Sequence, residues 1–296
     1  MKKIFLILLV LISINSLAQG KIGLLIIAHG SPSEQWNQPV LYIENQVKEL
    51  LKTKNISDFD EVRVALMEFN EPSISTVLKD MENNGITKIY ALPLFIAPSE
   101  HSLYDIPTIL GLYYDDGITN KLEEEGTKMV ETKIKITVGP SLNYKNIIKN
   151  ILLDKVSKIS TNPKEEAIVI LSHGDENFKK IWGEFVDETG GYILGQTGIE
   201  YFDKAFVEVG QSFAIDGVKA ILKASEKKKK VIVIGMYLSM GVKNMANNSG
   251  YLMMGHTIKT NKMFEGKNIY FEEEGLLPDK RITEWVVDRA IEWLNK

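Results

Sequence analysis

The sequence predicts an α/β protein made of two parallel-sheet domains that arose by internal duplication. Three observations carry this reading. Short apolar, β-branched runs alternate with amphipathic stretches at helical spacing, the pattern of strands joined by helical crossovers. The first run leads into His29-Gly30, and a similar run leads into His173-Gly174 144 residues later. The length of 296 residues leaves room for two domains of ordinary size.

The elements follow in order. Residues 1–18 read as a cleaved export leader. Met1-Lys2-Lys3 is a positive start, residues 4–14 are almost wholly apolar, and Ser16 and Ala18 place small side chains before a cleavage point at Gln19. The apolar run is about a dozen residues, shorter than the roughly 20 needed to span a bilayer. The expected layout is a leader at 1–18, a first domain at 19–143 and a second at 144–296.

Residues 21–28 (KIGLLIIA) are a continuous apolar run bounded by turn residues, as in a strand buried on both faces. Residues 37–54 place Val40, Ile43, Val47, Leu50 and Leu51 on one helical face. Residues 61–69 (EVRVALMEF) form a second strand. Pro72 opens a helix through Met81, which Asn83-Asn84-Gly85 ends. Residues 88–96 (KIYALPLFI) are the third strand, 97–101 its exit loop, and 133–138 (KIKITV) the fourth strand.

The second copy then begins. Residues 167–172 (AIVILS) match the first strand. Residues 204–209 (KAFVEV) match the second, with Glu208 where the first copy has Glu68. Residues 230–237 (KVIVIGMY) match the third. Setting Pro93-Leu94-Phe95 against Met236-Tyr237-Leu238 puts Asn244 opposite His101, so the second copy lacks that histidine. Residues 282–294, with Trp285, Val286, Ala290, Ile291 and Trp293, read as a docking helix.

Composition narrows the chemistry. Apolar residues are 44%, charged residues 25% and the net charge is −4, which is not the basic excess of a general nucleic-acid binder. There is no cysteine, which removes disulfides, thiolate metal sites and cysteine nucleophiles. Histidine chemistry must draw on His29, His101, His173 and His256.

In a parallel sheet, ligand-binding and catalytic residues gather at the carboxyl ends of the strands. His29 ends the first strand, Glu68 the second, and His101 follows the third. Two imidazoles and a carboxylate suit a borderline divalent ion such as cobalt, iron, nickel or zinc. Each of the three also reads, taken singly, as a polar residue at a strand end. Gly30-Ser31 belongs to no nucleotide-binding or nucleophile-elbow motif. Arginine occurs only at 63, 281 and 289, which speaks against bidentate phosphate recognition.

Taken together, LLIIAHGSP, FDEVRVALMEFNEPSI and KIYALPLFIAPSEHSLYDIPTILG resemble the CbiX type of class II tetrapyrrole chelatases. The resemblance covers roughly residues 21–110. The second half matches through the repeat, as a degenerate module. The resemblance implies two chelatase-like, flavodoxin-like domains with the active-site cleft between them, and ATP-independent insertion of Co²⁺ or Fe²⁺ into a tetrapyrrole such as sirohydrochlorin. Ni²⁺ and Zn²⁺ are further candidates for the metal, and no nucleotide is required.

By position it implies His29 and His101 as metal ligands, with His29 also the proton acceptor. Glu68 or Glu71 is the key carboxylate, and Ile96, Ala97, Pro98, Ser99 and Glu100 form the substrate loop. His173 and Glu208 are the candidate second-copy site. The leader sets the chain apart from the cytoplasmic members of that family, and residues 175–201 read as an insert without a counterpart. Two alternatives stay open on the residues: an exported metal- or tetrapyrrole-binding protein on the same scaffold, and a two-domain solute-binding protein.

Overall fold

The computed structural model describes residues 20–67, 70–142, 145–253 and 256–296. The leader, together with Glu68, lies outside them. The first half holds strands β1 (Lys21–Ala28), β2 (Glu61–Leu66), β3 (Ile86–Pro93) and β4 (Lys135–Val138). The second holds β5 (Glu166–Ser172), β6 (Tyr201–Phe206), β7 (Lys230–Met236) and β10 (Ile269–Phe271), with a hairpin of β8 (Gly250–Met253) and β9 (His256–Lys259) beside it.

Both four-stranded sheets are parallel and share one order, β2-β1-β3-β4 and β6-β5-β7-β10. The register matches as well. Ala28 pairs with Leu66, as Ser172 pairs with Phe206. His29 and His173 therefore leave their sheets at the same point, and Glu208 lies two residues past its strand, as Glu68 does in the chain. The third strands differ by one residue from the sequence match. Ile27 pairs with Pro93 and Leu171 with Gly235, so Pro93 corresponds to Gly235 rather than to Met236. Counted from there, Lys243 rather than Asn244 stands at the position of His101. Either way that position holds no histidine.

Alternation along the central strands places a core on each face. Leu24, Ile26 and Ala28 of β1, with Ile168 and Ile170 of β5, belong to one continuous apolar layer shared by both halves. Helices α1 (Glu34–Thr53), α5 (Lys145–Ile159), α6 (Lys179–Thr197) and α9 (Lys280–Leu294) fill that layer with Val47, Ile151, Val186 and Val286 among others. The outer faces are covered by α2 (Ile74–Asn83) and α4 (Asp116–Glu124) on the first sheet and by α7 (Val218–Lys227) and α8 (Val242–Asn248) on the second. Ser73, not Pro72, caps α2, its side chain accepting from Thr76 N.

Helix α9 returns from the end of the chain to the first half. It packs on α1 and β3, where Trp293 stacks on Tyr90 at 5.1 Å, with Lys88 Nζ 4.3 Å above its ring. Arg281 of the same helix holds Asp154 of α5 at 2.8 Å.

The segment 175–201 is not an insert. Most of it is α6, which joins β5 to β6 as α1 joins β1 to β2. Its apolar periodicity is blurred by Gly190-Gly191 and Gly195, residues of low helix propensity. Gly190 is there for contact: a Cβ would come within 2.5 Å of the Phe202 ring of β6. Among the described residues no helix is long and apolar enough to cross a membrane.

Candidate active site

The carboxyl ends of β1, β3 and β5 converge on one cleft. Immediately after β1, a small network holds the turn that carries His29. Ser31 N donates to Asn37 Oδ1 at 2.9 Å, and Asn37 Nδ2 donates back to Ser31 O at 2.8 Å. Asn70 Nδ2 donates to the same carbonyl. Asn37 is buried in α1, so the turn is tied to a packed helix.

His29 Nδ1 faces the Gly30 carbonyl. A carbonyl only accepts, so in the neutral ring Nδ1 carries the proton and Nε2 the basic lone pair. Burial, then the nearby His101 ring, lower the His29 pKa to about 4. At neutral pH His29 is thus an uncharged imidazole, the form that binds a metal or accepts a proton.

His101 opens a π-helical turn (His101–Asp105) that runs into α3 (Ile106–Ile109). Its Nδ1 donates to Asp105 Oδ2 at 2.7 Å. Asp105 is 3% exposed, so this buried carboxylate fixes both the tautomer and the direction of the ring. The His29 and His101 ring centroids lie 5.1 Å apart at 65°. Two imidazoles sharing one ion at ordinary metal–nitrogen distances have centroids about 5 Å apart. Trp36 and Phe95 stand at 6.2 Å from His29 and 6.1 Å from His101 respectively.

His173 is the repeat partner of His29, yet its two nitrogens are differently engaged. Nδ1 faces Gly174 O at 2.9 Å and Nε2 faces Glu208 Oε1 at 2.8 Å. Both neighbours are acceptors, which favours a proton on each nitrogen. The Glu208 hydrogen bond raises the His173 pKa, and the same bond lowers that of Glu208. The pair therefore tends to the imidazolium–carboxylate form, and its charges reach His29. Gly174 takes φ +79°, and a Cβ there would sit 2.8 Å from the Phe206 ring. His173 and Glu208 border an open cavity of about 580 Å³, together with Trp182, Phe206, Lys179 and Lys219. The volume falls in the range of small-molecule sites.

The remaining sequence candidates are placed differently. Glu71 serves the start of α2: its carboxylate accepts from Ser73 N at 2.7 Å and from the Ser73 and Thr76 hydroxyls. It lines a separate cavity of about 270 Å³ with Ser73, Ile74 and Lys128. Ile96 and Ala97 are buried in the shared apolar layer. Ser99 is buried and closes a ring of hydrogen bonds with Ser102. Pro98 and Glu100 bond to the second half, as described below. Glu68 falls outside the described residues. His256 opens β9 in the hairpin. Among the described residues, no group of three or more His, Asp or Glu side chains is spaced to hold a metal ion. The pair His29 and His101 stands there as two imidazoles.

Asp105 was not singled out from the sequence. Its signal is the i,i+4 spacing from His101, which puts a carboxylate beneath the ring on a helical turn.

The opposed histidines predict a pH dependence of stability. The folded-state pKa of His29 lies below its unfolded value of about 6.5, so its contribution is intact above that pH and is lost as pH falls towards 4. Between those limits wild type should lose about 3 kcal/mol more than His29→Gln in denaturant titrations. Equal slopes for the two chains would contradict the assignment. His173 works in the opposite sense: its raised pKa favours the fold at low pH and stops helping as pH rises through it.

Solved structures share this architecture. SirB from Bacillus subtilis subspecies spizizenii, in complex with cobalt, superposes with a TM-score of 0.57 at 14% identity, over 92% of this chain and 94% of that one. SirB from Bacillus subtilis with Fe³⁺ gives 0.59 at 15% identity, over 92% and 95%. The fold is thus that of the two-domain chelatases.

Sequence comparison narrows the class. The CbiX family model matches residues 23–159. The sirohydrochlorin cobaltochelatase of Methanococcoides burtonii is 31% identical over 142 residues, which cover 47% of this chain and 97% of that protein. The chain belongs to the CbiX family, of the class II chelatase type. The sirohydrochlorin cobaltochelatase of Methanococcus maripaludis is 39% identical over 94 residues, 32% of this chain and 61% of that protein. For that relative, and for the one from Methanococcus aeolicus at 59%, the chain matches about three fifths of their length.

Proposed function

We propose that the chain is a nucleotide-independent chelatase that inserts Co²⁺ or Fe²⁺ into a tetrapyrrole such as sirohydrochlorin. The observation that carries this is the His29–His101 pair: two imidazoles 5.1 Å apart, one kept neutral by burial and the other oriented by Asp105, at the carboxyl ends of parallel strands. Membership of the CbiX family supplies the reaction class.

Insertion replaces two pyrrole N–H protons by one divalent ion, so the site must hold a cation and remove two protons. His101 presents Nε2 to the ion while Asp105 holds its Nδ1–H. His29, neutral at physiological pH, presents a lone pair that takes a pyrrole proton or shares the metal. In the second half, His173 Nε2 is engaged by Glu208 at 2.8 Å, which favours the ion pair over a free imidazole lone pair. The 580 Å³ cavity beside it, with Trp182 and Phe206 on its wall, offers apolar surface for the ring, while its lysines share the lining with Asp175, Glu176, Asp203 and Asp216. Glu68 remains the proposed carboxylate of the site.

The test is an anaerobic absorbance assay with sirohydrochlorin and either Co²⁺ or Fe²⁺, without nucleotide. The metallated spectrum should appear with one or both ions, and the ratio of rates identifies the preferred metal. An unchanged spectrum with both would refute the proposal.

Export is proposed on the leader at residues 1–18. Fractionation of expressing cells should recover a chain beginning at Gln19 outside the cytoplasm. A full-length chain confined to the cytoplasm would contradict it.

A further inference from the structure

The turn that carries His101 is fastened to the other half of the molecule. Asp175, two residues after His173, uses both carboxylate oxygens. Oδ1 accepts from Asn177 N at 3.0 Å and Phe178 N at 3.1 Å, capping its own turn. Oδ2 accepts from Glu100 N at 2.9 Å, in the first half. Asn177 Nδ2 donates to the Glu100 carboxylate, Trp182 Nε1 donates to Pro98 O at 3.1 Å, and the Phe178 ring lies 6.5 Å from that of Tyr104. Every first-half partner lies within residues 98–104, on both sides of His101. Every second-half partner lies within 175–182.

The chemistry explains why such a strap is useful. The first amides of a helical turn have no acceptor within the turn. Glu100 N–H is such a donor, at the entry of an irregular π-type turn whose own hydrogen bonds constrain it weakly. A carboxylate accepting an orphan amide is a charge-assisted cap, and here it is supplied from the other half.

We propose that Asp175 is a positioning residue for His101, so that the second half, which lacks a histidine corresponding to His101, serves as the scaffold that sets the metal-binding pair of the first. The proposal rests on the reading of His29 and His101 as the metal site.

The test is titration of the intact chain with Co²⁺ alone, read by calorimetry, so that no tetrapyrrole or turnover is needed. Asp175→Asn preserves the shape but leaves one acceptor oxygen, enough for its own turn and not for Glu100 N–H. Trp182→Phe keeps the packing and removes the donor to Pro98 O. Mutating partners that orient a metal ligand costs 10–100-fold in affinity, and the strap lies one step further out. Asp175→Asn should therefore weaken Co²⁺ binding about three- to tenfold, and Trp182→Phe somewhat less, with both chains folded by circular dichroism.

The decisive arm is the His101→Ala background. There Asp175→Asn should cause no further loss, because its effect passes through His101. Unchanged affinity in Asp175→Asn, or losses that add in the double variant, would overturn the proposal. A His101→Ala chain that binds Co²⁺ like wild type would instead contradict the metal-site reading, and the strap's role would fall with it.

Discussion

Replacing His29 by glutamine should lower the rate of metal insertion by about 10²–10⁴-fold, the range for loss of a general base. Glutamine keeps the approximate size of imidazole and can still donate to the Gly30 carbonyl, so the turn held by Asn37 and Asn70 should persist. It has no basic lone pair. Tetrapyrrole binding should be largely unaffected, because the ring is held by the cleft walls. The pH profile is the sharper readout. Burial and His101 hold the His29 pKa at about 4, so wild-type kcat/KM should not fall at the ordinary imidazole pKa but only as pH approaches 4. His29→Gln should lose that limb together with the rate. A glutamine variant with near wild-type rate and the same profile would remove the base role.

The second large effect concerns the metal. Asp105→Asn should weaken Co²⁺ binding about tenfold, because the amide no longer fixes the His101 tautomer and ring direction. His101→Ala removes the ligand itself and should exceed this, to about a hundredfold. His256→Ala should do far less. Calorimetric titration of the three chains measures all of this. The assignment would not survive equal, small changes in all three.

The parts of this account that were legible in the sequence are those that depend on neighbours along the chain. An apolar run ending in His-Gly marks the end of a central parallel strand, and its recurrence exposes the duplication, later visible in matching strand order and register. His29 was visible because it follows such a strand, and His101 because it ends the exit loop of the third strand. Relations across the chain were not. Asp175 bonds to Glu100 75 residues away, and nothing in either segment encodes the partner.

Three further features were not legible in the sequence. Glu71 reads as one of two candidate carboxylates, and its contacts with Ser73 and Thr76 at the start of α2 carry no signal in the motif. Helix α6 was hidden because close packing on Phe202 demands glycine where helical propensity would place a better helix former. Strand β10 has three residues, too few for a periodic signal, and is defined by its pairing with β7. The different protonation of His29 and His173 is likewise a product of tertiary contact. The two occupy equivalent strand ends, and Glu208 together with burial moves their pKa values in opposite directions.

The central claim is that the cleft turns over rather than stores its ligands. The direct measurement is the amount of metallated tetrapyrrole formed per chain, with sirohydrochlorin and Co²⁺ in excess, under anaerobic conditions and without nucleotide. The account predicts product that rises well beyond one equivalent per chain and falls sharply in His29→Gln. Product that stops at one equivalent and stays bound to the protein would contradict it, and would mark the chain as a binding protein.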